Sequence, residues 1–486
     1  MKSLFTLGLL MSFLNAVCAA DDPAKKPNFI VIFVDDQALH AIGYRNPEVQ
    51  SPNIDKLAAG GMRFDRAFAA SPICIASRAS VVTGVFPQQN GTVGLAENNF
   101  TERVVASKML VTLPMVLGQA HYHTALYGKS HIGKPTDYGY AEGYEVKAQN
   151  DEETFEQADK FLQRESTSGR PFLLWLAPHN PHVPYTVPQA YKDLYKNTDI
   201  KLAANWLETP PMESLFNQGK AGEMIFRDGA YKIYPGAAPG LTAGPPRTAD
   251  NMKAVTREYF SDVSYLDSQV GHLLEQLKAT KLYDNTIIIY LSDNGYNLGN
   301  HGLGNKLTMH EESVRVPFFI HSPLLPVHGA ITQALTSSLD VFPTILDFAG
   351  IPIPAQLMGK SLRPVLANPE ATVREYVSSE SSGPPENRLG TGHRMVRTDH
   401  YKLILSVGDE EAFFDLNKDP YELNNLIANP EMAPEVARHR LMLKEWMTKV
   451  GEKRLTQEQA AGPINKDKNP KDKNKKAKDG ADGEAK

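Results

Sequence analysis

Hydrophobic and polar positions along the chain fall into two alternating rhythms. "PNFIVIFVDDQ" (Pro27–Gln37) is an unbroken apolar run ending in two aspartates, the pattern of a strand buried on both faces. "SPNIDKLAAGGM" then reads as a short helix, with Ser51 as N-cap, Pro52 in the first turn and glycines at its end. A further helix is expected to start within "ASRASVVTG". After it, "TLPMVLGQAHY" reads as helix, "TALYG" as strand and "DEETFEQADKFLQRE" as amphipathic helix. "PFLLWLAP" is another buried strand, and the long helix "EYFSDVSYLDSQVGHLLEQLKAT" feeds the strand "TIIIYLSDNG". "RVPFFIHSP" adds a strand and "SLDVFPTILDFAG" a helix. Strands alternating with helices predict an α/β fold, with a large, mainly parallel sheet flanked by helices on both faces.

The rhythm breaks at four places. Residues 1–20 have a basic start at Lys2, an apolar run from Leu4 to Leu14 and small residues at Ala19 and Ala20. That is the layout of an export signal, too short to span a bilayer, and it implies a periplasmic or secreted protein with no stable membrane insertion. A lipid anchor on Cys18 is the alternative, weakened by the bulky Val17 before it. Tyr185 to Asp250 is rich in proline, glycine and isolated aromatics, and reads as an insertion or a long active-site loop. Residues 21–366 are expected to form the catalytic domain. Residues 367–460 form a smaller α+β subdomain, with an antiparallel pair in "RMVRTDHYKLIL" and "AFFDLNKDPYELNNL" and a helix near Glu435–Val450. The lysine-rich tail 461–486 has almost nothing apolar to fold around, and is expected to be disordered.

Composition narrows the field. The 486 residues are 42% hydrophobic and 22% charged, and the net charge of −5 gives no reason to expect nucleic acid as a partner. There are 2 cysteines, and cleavage near Ala20 would leave Cys74 alone. An unpaired thiol in an exported chain is buried and inert, reactive, or chemically converted.

Ligands of open parallel sheets bind beyond the carboxyl ends of the strands, and polar clusters stand at three such ends. Asp35 and Asp36 close the first strand, Asp293 and Asn294 close "TIIIYLSDNG", and His179 and His182 follow "PFLLWLAP". Three carboxylates brought together repel unless a cation joins them, and carboxylates plus an amide oxygen suit Ca²⁺ better than Mg²⁺. Basic residues accompany them. Lys129 and His131 in "YGKSHIGK" face one side if the chain stays extended, Lys306 lies in the glycine-rich "GLGNKLTMHEE", and Arg78 is one helical turn beyond Cys74. A cation together with Arg78, Lys129 and Lys306 outweighs the carboxylates, so the pocket should hold an anion.

"CIASRASVVTG" is similar to the signature of the formylglycine-dependent (type I) sulfatases, members of the alkaline phosphatase-like superfamily. "IVIFVDDQ", "YGKSHIG", "PHNPHVPY", "LSDNGYNLGNHG", "NKLTMHEESVRVPF" and "FFDLNKDPYELNNL" resemble segments of that family in the same order, over about residues 27 to 430. The resemblance implies an alkaline phosphatase-like fold, and a Cys74 oxidised to formylglycine (3-oxoalanine) by a formylglycine-generating enzyme. It implies metal ligation by Asp35, Asp36, Asp293, Asn294 and the modified Cys74. In such a mechanism one hydroxyl of the hydrated aldehyde attacks sulfur in line, forming a covalent sulfate ester and releasing an alcohol. Lys129 and Lys306 hold the sulfate, His182 protonates the leaving alcohol, and the second hydroxyl, deprotonated by His131, expels sulfate. Arg78 orients the hydroxyls, while His179 and His301 divide between substrate contact and loop hydrogen bonding. Glu311, Glu312 and Arg315 are read as a structural ion pair beside the site.

Two positions depart from the family pattern: Ala76 stands where proline is commonest, and Asn300 where an acidic residue usually precedes the histidine. "PQQNGTVGL" and "SYLDSQVG" resemble glycosaminoglycan-type more than simple aryl sulfatases, which with the export signal points to sulfated sugars or polysaccharides. A phosphonate or phosphate diesterase of the same superfamily, a simple arylsulfatase and a non-catalytic anion-binding protein are the competing readings.

Overall fold

The computed structural model describes residues 26–92, 110–146, 150–208, 226–227, 230–231, 248–381, 392–406 and 411–452. The expected export signal, much of the Tyr185–Asp250 segment and the lysine-rich tail lie outside the described residues. No helix among the described residues is long and apolar enough to cross a membrane.

An eight-stranded sheet forms the frame. From one edge to the other its strands are Ala330–Thr332, Met62–Phe64, Phe318–His321, Thr286–Ser292, Asn28–Val34, Phe172–Ala177, His123–Gly128 and Glu142–Glu145. All neighbours run parallel except Phe318–His321, which is antiparallel to both of its partners. Every residue of Asn28–Val34 is buried, because helices cover both faces. Phe29, Val31 and Phe33 point into one core, with the helix Cys74–Thr83, and Ile30, Ile32 and Val34 into the other, with Asp151–Ser168 and Ala249–Ala279. That two-sided burial removes the alternation a half-exposed strand would show.

Three local expectations are corrected. The helix expected to start within "ASRASVVTG" begins two residues before that stretch, at Cys74. Ser51 occupies the N-cap position of Pro52–Ala59 but makes no side-chain cap bond. Its Oγ accepts from the Gly43 N–H at 2.7 Å and donates to Asp55 at 3.0 Å, while the Ile54 N–H donates to Asp267 Oδ1 at 2.7 Å. A carboxylate from the 31-residue helix Ala249–Ala279 thus fills the capping role. Finally, the C-terminal "antiparallel pair" is part of a four-stranded antiparallel sheet, Val377–Ser381, His393–Arg397, Tyr401–Leu405 and Glu411–Asp415. The helix Ala433–Lys449 packs on it through Val436, Leu443 and Trp446.

Candidate active site

Strands ending at one edge of the sheet deliver the acidic residues together. Asp35 and Asp36 follow Val34, and Asp293 and Asn294 follow Ser292 on the neighbouring strand, in parallel register. The Asp293 N–H donates to the Val34 carbonyl at 3.0 Å, and the Asp36 N–H to Asp293 Oδ1 at 3.1 Å. Asn294 Nδ2 donates to Asp36 Oδ1 at 2.8 Å. Asp36 has a left-handed backbone, φ 61°, a conformation that aspartate tolerates better than most residues. Tyr259, on the long helix, holds it there. Its hydroxyl donates to the Asp36 carbonyl at 2.6 Å and accepts from the Ala38 N–H at 2.8 Å. Sequence reasoning missed Tyr259, since only the fold brings residue 259 beneath residue 36.

Cations surround these carboxylates. Lys129 Nζ is 2.5 Å from Asp35 Oδ2, and Lys306 Nζ donates to Asp36 Oδ1. Arg78 Nη2 lies 2.8 Å from Asp293 Oδ2 and 3.5 Å from Asp35 Oδ1, and Nη1 donates to the Lys129 carbonyl at 2.9 Å. Burial would raise the Asp35 carboxyl, but Lys129, His182, Arg78 and Lys306 hold it well below the usual range. Asp293 is pushed up to about 7, because burial outweighs the pull of Arg78. Burial also works against the charge of Lys306, yet Asp36 and its neighbours hold that ammonium well above its ordinary value.

Cys74 is the first residue of the helix Cys74–Thr83, buried within this cluster. Burial pushes its thiol up, with Lys306 and Lys129 opposing. An ordinary thiol here is therefore kept protonated, and its sulfur is a weak nucleophile. The side chain sits where a helix N-terminus and two lysines favour an anion.

The donor set fits a hard cation. Asn294 Oδ1 is a buried oxygen without a hydrogen-bond donor, Asp35 Oδ1 and Asp293 Oδ2 face only the Arg78 guanidinium, and Asp35, Asp36 and His182 bring ligand atoms within 4.8 Å of one another.

The histidines separate by position. His182 Nδ1 lies 2.6 Å from the Val183 carbonyl, so it must be the protonated nitrogen, and Nε2 faces Asp36 Oδ2 at 3.6 Å. Burial lowers its proton affinity and Asp35 and Asp36 partly restore it. The strand before Lys129 ends at Gly128, and His131 has φ 62°, so the extended geometry expected for Lys129 and His131 does not hold. His131 nevertheless feels Lys129, Arg78 and Asp35, and burial followed by the two cations depresses it to about 2. His179 turns to Asp151, its Nδ1 3.3 Å from Oδ1.

His301 stands apart from the carboxylate–lysine cluster. Its Nε2 is 3.0 Å from Asn205 Nδ2 and 3.6 Å from Glu312 Oε2, and its ring stacks on His310 at 3.9 Å. Of the expected ion pair, Arg315 and Glu311 approach to 3.5 Å, whereas Glu312 belongs to His301 and Asn205. Asn300 is likewise structural, donating to Asn205 Oδ1 at 2.8 Å.

Fold and site together define a hydrolase of oxyanion esters with alkaline phosphatase-like architecture. Residues 27–351 match the sulfatase family, and residues 299–450 match the N-sulphoglucosamine sulphohydrolase C-terminal family. An arylsulfatase of Clostridium perfringens is 28% identical, with 86% of this chain and 94% of that protein covered. An N-acetylglucosamine-6-O-sulfatase of Bacteroides thetaiotaomicron is 27% identical over 90% of each chain. A solved structure, in complex with its substrate D-glucosamine-2-N,6-O-disulfate, superposes with a TM-score of 0.74 at 25% identity, covering 88% of this chain and 98% of that one. The chain belongs to the sulfatase family, enzymes that hydrolyse sulfate esters.

Proposed function

We propose that this sulfatase removes sulfate from sulfated carbohydrate, using a formylglycine made from Cys74 by a formylglycine-generating enzyme, with Ca²⁺ held by Asp35, Asp36, Asp293 and Asn294. The observation that carries the reading is the placement of buried Cys74 among Lys129, Lys306 and the carboxylates, at a helix N-terminus. Once formed, the aldehyde hydrate would supply one hydroxyl to attack sulfur and a second to expel sulfate, and the cation would supply Lewis acidity.

The chain's own residues do the rest. Lys129 and Lys306 bind sulfate oxygens and stabilise the charge that shifts toward them in the transition state. Arg78, anchored through Nη1 on the Lys129 carbonyl, orients the group at position 74. His182 presents Nε2 to the centre; with Nδ1–H kept on the Val183 carbonyl, the imidazolium form, favoured by Asp35 and Asp36, carries the Nε2 proton that reaches the leaving alcohol. His131, neutral at working pH, takes the proton of the second hydroxyl.

The carbohydrate reading is supported by the relatives' substrates and by a cavity. A space of about 550 Å³ is lined by residues that follow Asp36 and Asn294 in sequence, among them His40, Arg45 and Asn300, together with Lys201, Arg315 and Tyr421. Its size and mixed polar and apolar lining suit a sugar unit. An export route to the periplasm or beyond accords with such a substrate.

Sulfate release from a panel of sulfated oligosaccharides, alongside an aryl sulfate and an aryl phosphodiester, tests the reading. Faster phosphodiester than sulfate turnover would overturn it. Mass spectrometry of the Cys74 peptide should show sulfur replaced by oxygen with two hydrogens lost, the composition of an aldehyde and not of a serine.

A further inference from the structure

The strand Phe172–Ala177 delivers the "PHNPH" turn to the site, yet the side chain that fixes this turn comes from elsewhere. Asp151 opens the helix Asp151–Ser168 and is only 2% exposed. Its Oδ1 accepts from the His179 N–H at 2.8 Å and its Oδ2 from the Asn180 N–H at 2.7 Å. Oδ1 also lies 3.3 Å from His179 Nδ1. Both carboxylate oxygens therefore grip consecutive peptide units, a two-point hold that only an ionised carboxylate makes without a donor of its own.

The hold is transmitted along a short path. The His182 N–H donates to the His179 carbonyl at 2.7 Å, closing a turn that starts at the gripped residue. His182 Nδ1 is then fixed on the Val183 carbonyl at 2.6 Å, leaving Nε2 directed at Asp36. Asp151 has no role in anion binding or ligation, so its burial is explained by the turn it organises.

We propose that Asp151 is a positioning residue, setting the His179–His182 turn so that His182 delivers its proton to the leaving group. This rests on His182 being the acid. In Asp151→Asn one of the two peptide N–H groups would face an amide NH₂, so one grip must be released and the turn loosens. Misplacing an acid by about 1 Å costs on the order of 100-fold in the step it serves.

The test uses aryl sulfates graded by the acidity of the departing phenol, because an acidic phenol departs without a proton and a weakly acidic one does not. The purified, Cys74-converted enzyme with its metal restored is compared with Asp151→Asn and His182→Gln, using 4-nitrophenyl and unsubstituted phenyl sulfate. The ratio of nitrophenyl to phenyl turnover should rise about 10-fold or more in both variants. A general loss of folding would lower both substrates together and leave the ratio unmoved, a result that overturns the proposal. An altered ratio in His182→Gln with a normal one in Asp151→Asn removes Asp151 alone. An unaltered ratio in His182→Gln removes the acid assignment, and the Asp151 proposal with it. If Asp151→Asn cannot be recovered folded, Asp151→Glu, which shifts the carboxylate by one methylene, is read by the same ratio and the same two outcomes.

Discussion

Cys74 shows how one side chain can be legible in sequence while its environment is not. Its isolation and the residues after it mark it as special, but the structure explains why a bare thiol would serve poorly there, since burial holds the proton on sulfur. Cys74→Ala should therefore lower sulfate release by about 10³-fold or more while the thermal transition stays in place, as a lost nucleophile implies. Retention of more than a few per cent of activity would remove Cys74 from the mechanism. Ala76 is the third residue of its helix, where the backbone N–H has no intrahelical acceptor. Either alanine or proline suits that position, so the departure from the commoner proline costs the fold little. The cation is tested at the same scale. Chelation should abolish turnover, and Ca²⁺ should restore it more fully than Mg²⁺, because a set of carboxylates with an amide oxygen suits the larger ion. Restoration by Mg²⁺ alone would reverse that assignment.

At the scale of elements, the helices were readable from their periodicity but their caps were not. Ser51, Pro52 and the following apolar positions announce the helix Pro52–Ala59, yet its N–H group at Ile54 finds Asp267, 213 residues away. Asn53 Nδ2 donates to the same carboxylate at 2.9 Å. Asp267→Ala should leave the Ile54 N–H without an acceptor and Asn53 Nδ2 with only the residue-267 carbonyl at 3.3 Å, and destabilise the fold by about 1–3 kcal/mol, measured by denaturant titration. No loss of stability would show that water replaces the carboxylate. Tyr259 acts similarly on the strand end: its hydroxyl bridges the Asp36 carbonyl and the Ala38 N–H. Neither residue carries a local signal, because each is an ordinary member of an amphipathic helix.

On the scale of the molecule, one charged network joins the C-terminal sheet to the loop after Lys306. Lys402 Nζ lies 2.8 Å from Glu311 and 2.8 Å from Glu422, and donates to the Met309 carbonyl at 2.9 Å. One ammonium between two carboxylates cannot neutralise both. Burial pushes Glu422 up to about 7, with Lys402 opposing and Glu311 adding repulsion. Against its own burial, Glu311 is drawn down to about 2 by Lys402 and Arg397. The folded protein thus holds a proton on Glu422 that the unfolded chain releases above its ordinary value of 4.5. Stability from this group is complete below that value and is lost as pH rises through about 7. Glu422→Gln should flatten the decline of Tm between about pH 5 and 8, and a steeper decline would contradict the assignment. Lys402→Met removes the ammonium from buried Glu422, while Glu311 keeps Arg315 and Arg397, and should cost about 3–5 kcal/mol.

Local order in the sequence determined the strands, most helices and the candidate residues at the strand ends. An apolar run such as Phe29–Val34 has one favourable fate, burial on both faces, and Asp35, Asp36, Asp293 and Asn294 stand at strand ends where a parallel sheet gathers ligands. What the tertiary structure alone decided is how those residues are held and which histidines reach them. His131 leaves the extended path at a left-handed turn, His301 is drawn to Asn205 and Glu312, and Asp151, Tyr259 and Asp267 grip backbone far from themselves in sequence. The physical reason is that strand and helix rhythms come from each residue's own neighbours and from burial, whereas hydrogen bonds to exposed peptide groups go to whichever side chain the packing brings within about 3 Å.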